Sequence, residues 1–196
     1  MRRVVDRMVN EQVQNAARVA HDVGLATWFG GQVFGKFALN PVVKVIDDPP
    51  TRGKVVNSGW FTFNPIGVAG LGAATAVRVA ARLSELLPPR QTPAERKLSL
   101  AEDGLLATSV LLTAVTGVQG ARLAKQAPGG AVPIESGTEP SPDTPPQASR
   151  LQRSIGALGN GALFAGLGVV SLRAVQDRLA YSRPPARRGL MRLRSA

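Results

Sequence analysis

The chain has 196 residues, no cysteine and a mean hydropathy close to zero, because apolar blocks alternate with charged ones. Without cysteine it can form neither a disulfide framework nor a thiolate metal site, which excludes a disulfide-stabilised secreted domain and a zinc finger. Lys and Arg outnumber Asp and Glu by 24 to 13, but these charges lie beside apolar blocks. The basic composition alone therefore does not predict a nucleic-acid partner.

The amino-terminal segment, residues 1–22, is polar and basic with a weak apolar stripe. This pattern predicts an amphipathic helix at a surface. The apolar run that follows begins too late and is too long for a signal peptide. At the end of the segment, His21 and Asp22 are expected as a solvated pair at the inner membrane interface, with pH sensing as the alternative.

Four apolar stretches follow, each about the 20 residues that a helix needs to cross hydrocarbon. They are residues 23–43, 60–77, 104–121 and 155–172. The third and fourth contain no Asp, Glu, Lys or Arg, and charges flank them instead, whereas a helix in water keeps a charged face. Arg78 and Arg82, just after the second stretch, are expected to reach lipid headgroups. The sequence therefore predicts an all-α integral membrane four-helix bundle in preference to a water-soluble one.

The distribution of basic residues predicts the orientation of the bundle. Sixteen Lys and Arg lie in the amino tail, the second connection and the carboxyl tail, against seven in the first and third connections. Because cytoplasmic segments carry the basic excess, both termini are expected inside. The predicted organisation is a cytoplasmic segment 1–22, helices one to three with their connections at 23–125, a loop 126–152, a fourth helix 153–175 and a cytoplasmic tail 176–196. The Ala, Arg, Val and Gly bias suggests a bacterial plasma membrane.

The last connection and the carboxyl tail differ from the spans in amino-acid composition. Residues 126–149 are rich in Pro, Gly, Ser and Thr with only acidic charge, which predicts a disordered extracytoplasmic spacer. The tail has few aromatic side chains for stacking on bases, which argues against a nucleic-acid partner. Anionic lipid headgroups are the expected partners of five tail arginines: Arg183, Arg187, Arg188, Arg192 and Arg194.

A polar stripe runs along the first predicted span. Gln32, Lys36 and Asn40 recur every four residues after Trp28, so they share one helix face. Polar groups in hydrocarbon seldom face lipid, so the stripe should point into the bundle. Hydrogen bonds that hold the bundle together are the simpler interpretation, and an ion or substrate path is the alternative. No carboxylate within the spans can pair with Lys36, which weakens a proton-coupled transport hypothesis.

Small residues at intervals of four predict close helix packing. Packing within one chain and packing against another membrane protein or a second copy both fit this spacing. The positions are Ala157, Gly161 and Ala165 on the fourth span, and Ala69 and Ala73 on the second.

The stretch HDVGLATWFGGQVFGKFALNPVV, residues 21–43, resembles the first helix of the small four-span membrane family related to transmembrane protein 205. The resemblance covers about 23 residues and implies a four-span fold with a signature helix. Its signature positions here are His21, Trp28, Gly30 and Gln32. The family has no established reaction, and the long third loop and arginine-rich tail are departures from its pattern.

The sequence contains no recognisable catalytic constellation, cofactor motif or metal motif. It has a single histidine, no phosphate-binding loop ending in Lys-Ser or Lys-Thr, and no nucleophile elbow. The expectation is therefore a non-enzymatic membrane protein without a cofactor. Two functions stay open: a structural or accessory subunit that packs through small-residue faces, and a small channel or transporter that uses the polar stripe.

Overall fold

A computed structural model describes residues 2–85, 92–127, 129 and 131–181. Four long helices account for most of them: α1 is Arg2–Phe34, α2 is Pro49–Glu85, α3 is Pro93–Ala124 and α4 is Pro146–Tyr181. Each helix is longer than the apolar stretch that predicted it, and α1 joins the amphipathic segment and the first span in one helix. With 37 residues, α2 is about 55 Å long at 1.5 Å per residue, so its ends extend well beyond a hydrocarbon layer.

Polar capping residues define where α2 and α3 begin. Asp48 accepts a hydrogen bond of 3.0 Å from the backbone N–H of Thr51 and caps α2 ahead of Pro49. Thr92 and Glu95 form a capping box at the start of α3, with Pro93 in the first turn. Because Thr51 bonds to the Asp48 carboxylate through both its hydroxyl and its N–H, the pKa of Asp48 lies below its ordinary value.

The first helix changes geometry where the polar stripe passes. The chain widens into a π-helix at Gly35–Leu39, in which the N–H of Asn40 donates to the carbonyl oxygen of Gly35. A single α-helical turn, Asn40–Val42, and a 3₁₀ turn, Val43–Val45, complete the helical run. Pro41 lacks an N–H and cannot donate the hydrogen bond that a regular α-helix would make at this position. In α2, by contrast, Pro65 lies inside one continuous helix.

The four helices form two antiparallel pairs. α1 packs along α2 and α3 packs along α4, while contacts between the pairs are fewer. A Cβ on Gly70 would lie 2.7 Å from the carbonyl oxygen of Gly24, so the backbones of α1 and α2 nearly touch there. The pairs meet around a buried apolar cluster in the middle of the bundle. Its members are Leu25, Trp28, Leu71, Ala74, Leu106, Ala162 and Val169.

Three of the described helices are long and apolar enough to cross a membrane: α2, α3 and α4, over Pro49–Leu83, Pro93–Ala124 and Pro146–Leu179. This finding is compatible with an integral membrane protein. α1 does not reach the same mean hydropathy, because its regular part ends at Phe34 and includes His21, Asp22 and Gln32. Residues 23–43 were the first predicted span, and that they cross a membrane together with these three helices stays a prediction.

Charged side chains join the helices at the end of the bundle where α2 finishes and α3 begins. Arg78 donates to Asp103 at 2.6 Å and to the carbonyl oxygen of Ser99 at 2.9 Å, and it lies 3.2 Å from Glu102. Glu102 is 0% exposed and accepts from Gln176 at 2.8 Å. Arg82 also pairs with Asp103. The expectation that Arg78 extends towards headgroups was wrong, because this arginine is buried against acidic side chains of α3. For Arg82 the expectation stays a prediction.

Residues 131–152 of the third connection are folded, so the expectation of a disordered loop at 126–152 is wrong for this part. Strands β1, Ile134–Ser136, and β2, Glu139–Pro140, form an antiparallel hairpin. The helix α4 already begins at Pro146. Composition predicted disorder because the segment has few apolar residues, but those few pack on apolar surface that the helices already provide. The resulting second core cluster contains Val43, Val56, Val132, Ile134 and Ala148.

Candidate functional site: a polar cavity beneath the hairpin

A cavity of about 220 Å³ lies between the helix pairs, on the hairpin side of the central apolar cluster. Residues of α1, α2, α3, α4 and the hairpin turn all contribute to its wall. All three residues of the predicted stripe line it: Gln32, Lys36 and Asn40. The structure therefore brings the stripe together in the bundle interior and places polar groups of the other helices opposite it.

The sequence reasoning did not identify the other polar residues of the cavity wall. Asn64 on α2 and Asn160 on α4 each lie in an otherwise apolar run. For those that lie within a predicted span, an uncharged amide or hydroxyl in an apolar stretch was the available signal, but position along the chain does not show which helices face each other. These additional polar lining residues are Asn57, Asn64, Thr113, Thr116, Thr138, Gln152 and Asn160.

Asn40 holds three parts of the chain together at the cavity rim. Its Oδ1 accepts a hydrogen bond of 3.0 Å from the indole Nε1 of Trp60 on α2. Its backbone oxygen accepts a bond of 3.1 Å from the N–H of Gly137 in the hairpin turn. Only glycine fits at position 137, because a Cβ there would overlap the Asn40 side chain. Asn40 is therefore a buried fixed element of the wall, with its amide nitrogen left for the cavity.

Gln152 anchors the hairpin from the start of α4. Its Nε2 donates a hydrogen bond of 2.9 Å to the carbonyl oxygen of Ser136. The side chain is 2% exposed, and its Oε1 has no hydrogen-bond partner among the described residues. Buried polar atoms usually have a partner. Since Nε2 is fixed by the hairpin, Oε1 is the polar atom of Gln152 that the described residues leave without a partner.

Ion pairs hold the hairpin over this end of the bundle. Arg52 Nη1 lies 2.8 Å from Glu135 Oε2, and Lys44 Nζ lies 2.7 Å from Glu139 Oε2. The hydrogen bond from Lys44 lowers the pKa of the Glu139 carboxyl below its ordinary value, with smaller effects from Ser136 and nearby cations. Glu135 and Glu139, which lie in the segment that was predicted to be a disordered spacer, thus pair with basic residues of the first connection.

The cavity wall is least complete between α2 and α3. Lining residues Phe61 and Val68 on α2, and Gly117 on α3, are exposed on the outer surface. The ion pairs that join these two helices lie at the opposite end of the bundle, around Arg78. The described contacts between α2 and α3 are few, and the cavity reaches the outer surface at these exposed lining residues.

The remaining sequence-predicted residues lie in several places. Gly161 faces Leu112 of α3 and Ala165 is buried, so both pack within the chain, whereas Ala69, Ala73 and Ala157 are exposed. The five tail arginines, Arg183, Arg187, Arg188, Arg192 and Arg194, lie outside the described residues.

The signature residues of the first helix are also distributed over different surroundings. Trp28 is 0% exposed and packs against Gly166, while Gly30 is exposed with open space beside it. Gln32 lines the cavity. His21 was expected to be solvated, but it is 3% exposed and its Nδ1 lies 2.9 Å from Asp22. The packing of α1 against α2 and α4 buries this histidine.

A second hollow, of about 490 Å³, lies on the surface beside the end of α3 and the start of α4. Its basic residues Arg122, Lys125 and Arg150 are exposed to solvent. Exposed flexible cations do not form a preorganised site, so the cavity between the helix pairs is the stronger candidate. Within the part of the chain that the structure describes, no group of three or more His, Asp or Glu could hold a metal ion.

No family model, curated protein or solved structure matches the chain.

Proposed function

We propose that the chain is an integral membrane protein that spans the bilayer with four helices and passes small polar solutes through the cavity beneath its hairpin. The observation that carries the proposal is the position of Gln32, Lys36 and Asn40. They meet in one cavity with amide and hydroxyl groups from the other three helices. Bundle-stabilising hydrogen bonds alone do not require a cavity, since they form best between helices in direct contact.

The outer surface of the bundle supports a lipid environment. Large apolar side chains on all four helices are exposed, including Phe37 at 68% and Phe164 at 70%. A soluble monomer rarely exposes large continuous apolar patches. We propose that α1 also crosses the membrane, beside α2, because the two helices pack against each other along their length.

The orientation is proposed from the basic residues. The Arg78 cluster and both termini lie on the cytoplasmic side, and the hairpin lies outside. The cavity then faces the outer half of the membrane, with the cluster around Trp28 and Leu71 closing it from the inside. A solute enters from the hairpin side, and passage requires that apolar cluster to rearrange.

A liposome swelling assay tests the proposal. Full-length protein in phospholipid vesicles is exposed to iso-osmotic glycerol, glycine and sodium lactate, and light scattering follows entry. At least one solute is expected to enter faster than in protein-free vesicles. The double variant Gln32→Leu/Lys36→Leu should abolish the difference, because it removes two polar groups from the wall.

Phe37→Leu is the matched control, since Phe37 lies on the same segment but faces outward. It should transport as the unaltered chain does. Failure of every solute to enter faster than in empty vesicles, with folded protein confirmed by circular dichroism, would overturn the proposal.

A second candidate function, a structural or accessory subunit, is favoured by one surface. Ala69, Ala73 and neighbouring Gly72 are exposed on α2, and a Cβ on Gly72 would meet open space. Such a small-residue face permits close approach of a partner helix. Ala69→Leu/Ala73→Leu should then dissociate a complex on native gels, while Gly159→Ala, at an open position on α4, should leave it intact. An unchanged complex in the double variant would exclude this face as the interface.

A further inference from the structure

The charge of the cavity determines which ligands it can hold. Lys36 is the only charged residue in the described wall, which contains neither Asp nor Glu. Among the described residues no carboxylate lies within ion-pair distance of its ammonium group, and the nearby Glu139 is already paired with Lys44 at 2.7 Å. A cation enclosed by helices in a membrane is costly unless an anion compensates it. The single positive charge of Lys36 is therefore best matched by a ligand with a single negative charge.

The uncharged groups define the rest of the ligand. Because Oδ1 of Asn40 accepts the Trp60 N–H, its Nδ2 is the group that can donate into the cavity. Gln152 has the opposite polarity: its Nε2 is bonded to Ser136, so its buried Oε1 accepts. The wall thus offers a cation and an amide donor together with a buried acceptor. A ligand that binds the cation and the amide donor through an anionic oxygen, and the acceptor through a hydroxyl group, satisfies all three groups.

The size of the cavity limits the ligand to a few atoms. At ~30 Å³ for each water molecule, 220 Å³ holds on the order of seven waters. Typical sites for drug-sized molecules begin at roughly 300 Å³. A nucleotide or a complete lipid is therefore too large, whereas a three-carbon acid or the polar end of one lipid headgroup fits.

We infer that the cavity is a binding site for a small hydroxylated monoanion, held by Lys36 and Asn40 at its anionic oxygens and by Gln152 at its hydroxyl. The inference rests on the proposed solute cavity and names its ligand class. Two sources share this chemistry. One is a hydroxycarboxylate dissolved in water, and the other is a hydroxylated phosphodiester headgroup that enters through the opening between α2 and α3.

Lys36 lies on the π-helix Gly35–Leu39, and such irregular turns occur frequently at functional sites. The wider turn shifts the register of the side chains that follow it. As a result, Asn40 can bond to Trp60 and the hairpin while Lys36 still lines the cavity.

The first arm of the test measures binding of a dissolved anion. Full-length protein in a neutral detergent is melted with sodium lactate, with sodium chloride at equal ionic strength, or with lactamide, the neutral amide of the same acid. Lactate should raise the melting temperature in a saturable manner, and lactamide and chloride should not. Lys36→Gln should weaken lactate binding by about tenfold or more, as expected for the loss of a charge-assisted hydrogen bond, and Lys36→Arg should retain part of it.

Lys54→Gln is the matched control, because it removes a cation of α2 that is exposed and outside the cavity. It should bind lactate as the unaltered chain does. The comparison of lactate with lactamide on the unaltered chain keeps the test valid even if Lys36→Gln does not fold.

The second arm measures binding of a headgroup. Native mass spectrometry compares retention of phosphatidylglycerol, a monoanionic diol, with retention of phosphatidylcholine. Preferential phosphatidylglycerol retention that is lost in Lys36→Gln, without a lactate response, identifies the headgroup as the ligand. A lactate response identifies the dissolved anion. No Lys36-dependent preference in either arm would overturn the inference.

The two proposals fail separately in these experiments. Lys36-dependent binding without solute entry leaves the anion site in place and removes the transport function. Entry of glycerol without Lys36-dependent binding leaves the transport function and removes the anion site.

Discussion

The indole N–H of Trp60 donates to Oδ1 of Asn40 at 3.0 Å, and this bond connects the end of the first helical run to α2 at the rim of the cavity. The same asparagine accepts the N–H of Gly137 through its backbone oxygen. One buried residue therefore sets the position of α2 and of the hairpin relative to Lys36, four residues earlier in the chain. The wall of the cavity depends on these contacts being made together.

Gly137→Ala should destabilise the protein by about 1–3 kcal/mol, the usual range for an overpacked site. The new Cβ would overlap the Asn40 side chain and separate the hairpin turn from the cavity rim. Thermal unfolding in detergent measures the change. Gly104→Ala adds the same methyl group to α3 where nothing lies within 4 Å, and it should be neutral or slightly stabilising. Equal melting temperatures for both variants would contradict the hairpin contact.

Gly70→Ala should destabilise the α1–α2 pair by about 1–3 kcal/mol, because its Cβ would lie 2.7 Å from the backbone oxygen of Gly24. Gly72→Ala is the control two residues away, where a Cβ meets open space. Denaturation in detergent mixtures compares the two variants. A larger loss at position 72 than at position 70 would mean that α2 is rotated relative to the packing described here.

Arg78→Leu should cost about 3–5 kcal/mol, since it leaves the fully buried carboxylate of Glu102 without its cation. The double variant Arg78→Leu/Glu102→Leu should recover much of that loss, because neither charge is then left unpaired. A double-mutant cycle based on unfolding free energies measures the coupling. Arg96→Leu, at an exposed arginine of α3, is the control. Additive effects of the two single changes would show that the pair does not interact.

The attachment of the hairpin should depend on pH through Lys44 and Glu139. The pKa of Glu139 is lowered in the folded chain by its hydrogen bond to Lys44, and that of Lys44 is raised by Glu139. The stabilisation from Glu139 is therefore complete above its ordinary pKa and is lost as the pH falls through the lowered value. The contribution of Lys44 is lost only in strong base, as the pH rises through its raised pKa.

Hydrogen exchange at residues 134–140 checks this prediction. After correction for the intrinsic pH dependence, protection should fall between about pH 5 and pH 3. Glu139→Gln should remove that dependence, and Asp143→Asn, an exposed acid of the same connection, should retain it. The same acid-induced loss in Glu139→Gln would mean that another group is responsible.

The sequence predicted the helical class and the polar stripe because each depends on local periodicity. Three uninterrupted apolar stretches produced helices α2, α3 and α4. A four-residue spacing grouped Gln32, Lys36 and Asn40, which line one cavity in the structure, and the role of this stripe stays a prediction. The ends of the helices were harder to predict from the sequence, because polar residues beyond an apolar stretch can continue a helix. The boundary of α2 at Pro49, for example, depends on the cap by Asp48.

What the sequence reasoning missed depends on contacts between distant parts of the chain. The hairpin is stabilised by the ion pair between Glu135 and Arg52 and by the packing of Ile134 on apolar residues of the helices. Neither contact follows from the composition of residues 126–152. Gln152 fell in the predicted disordered loop 126–152 for the same reason. The pairing of acidic residues in the third connection with basic residues in the first was the available signal, and it requires knowing that these connections share one end of the bundle.

The proposed membrane topology requires lipid around the exposed apolar faces of α2 and α3, and single-cysteine labelling in native membranes measures this most directly. The chain has no cysteine, so Ile66→Cys, Val118→Cys and Asp143→Cys each give one reporter. In permeabilised membranes a charged maleimide should label position 143 readily, and it should label positions 66 and 118 only after solubilisation and unfolding. Rapid labelling of positions 66 and 118 in the intact membrane would show that water, and not lipid, covers these helices.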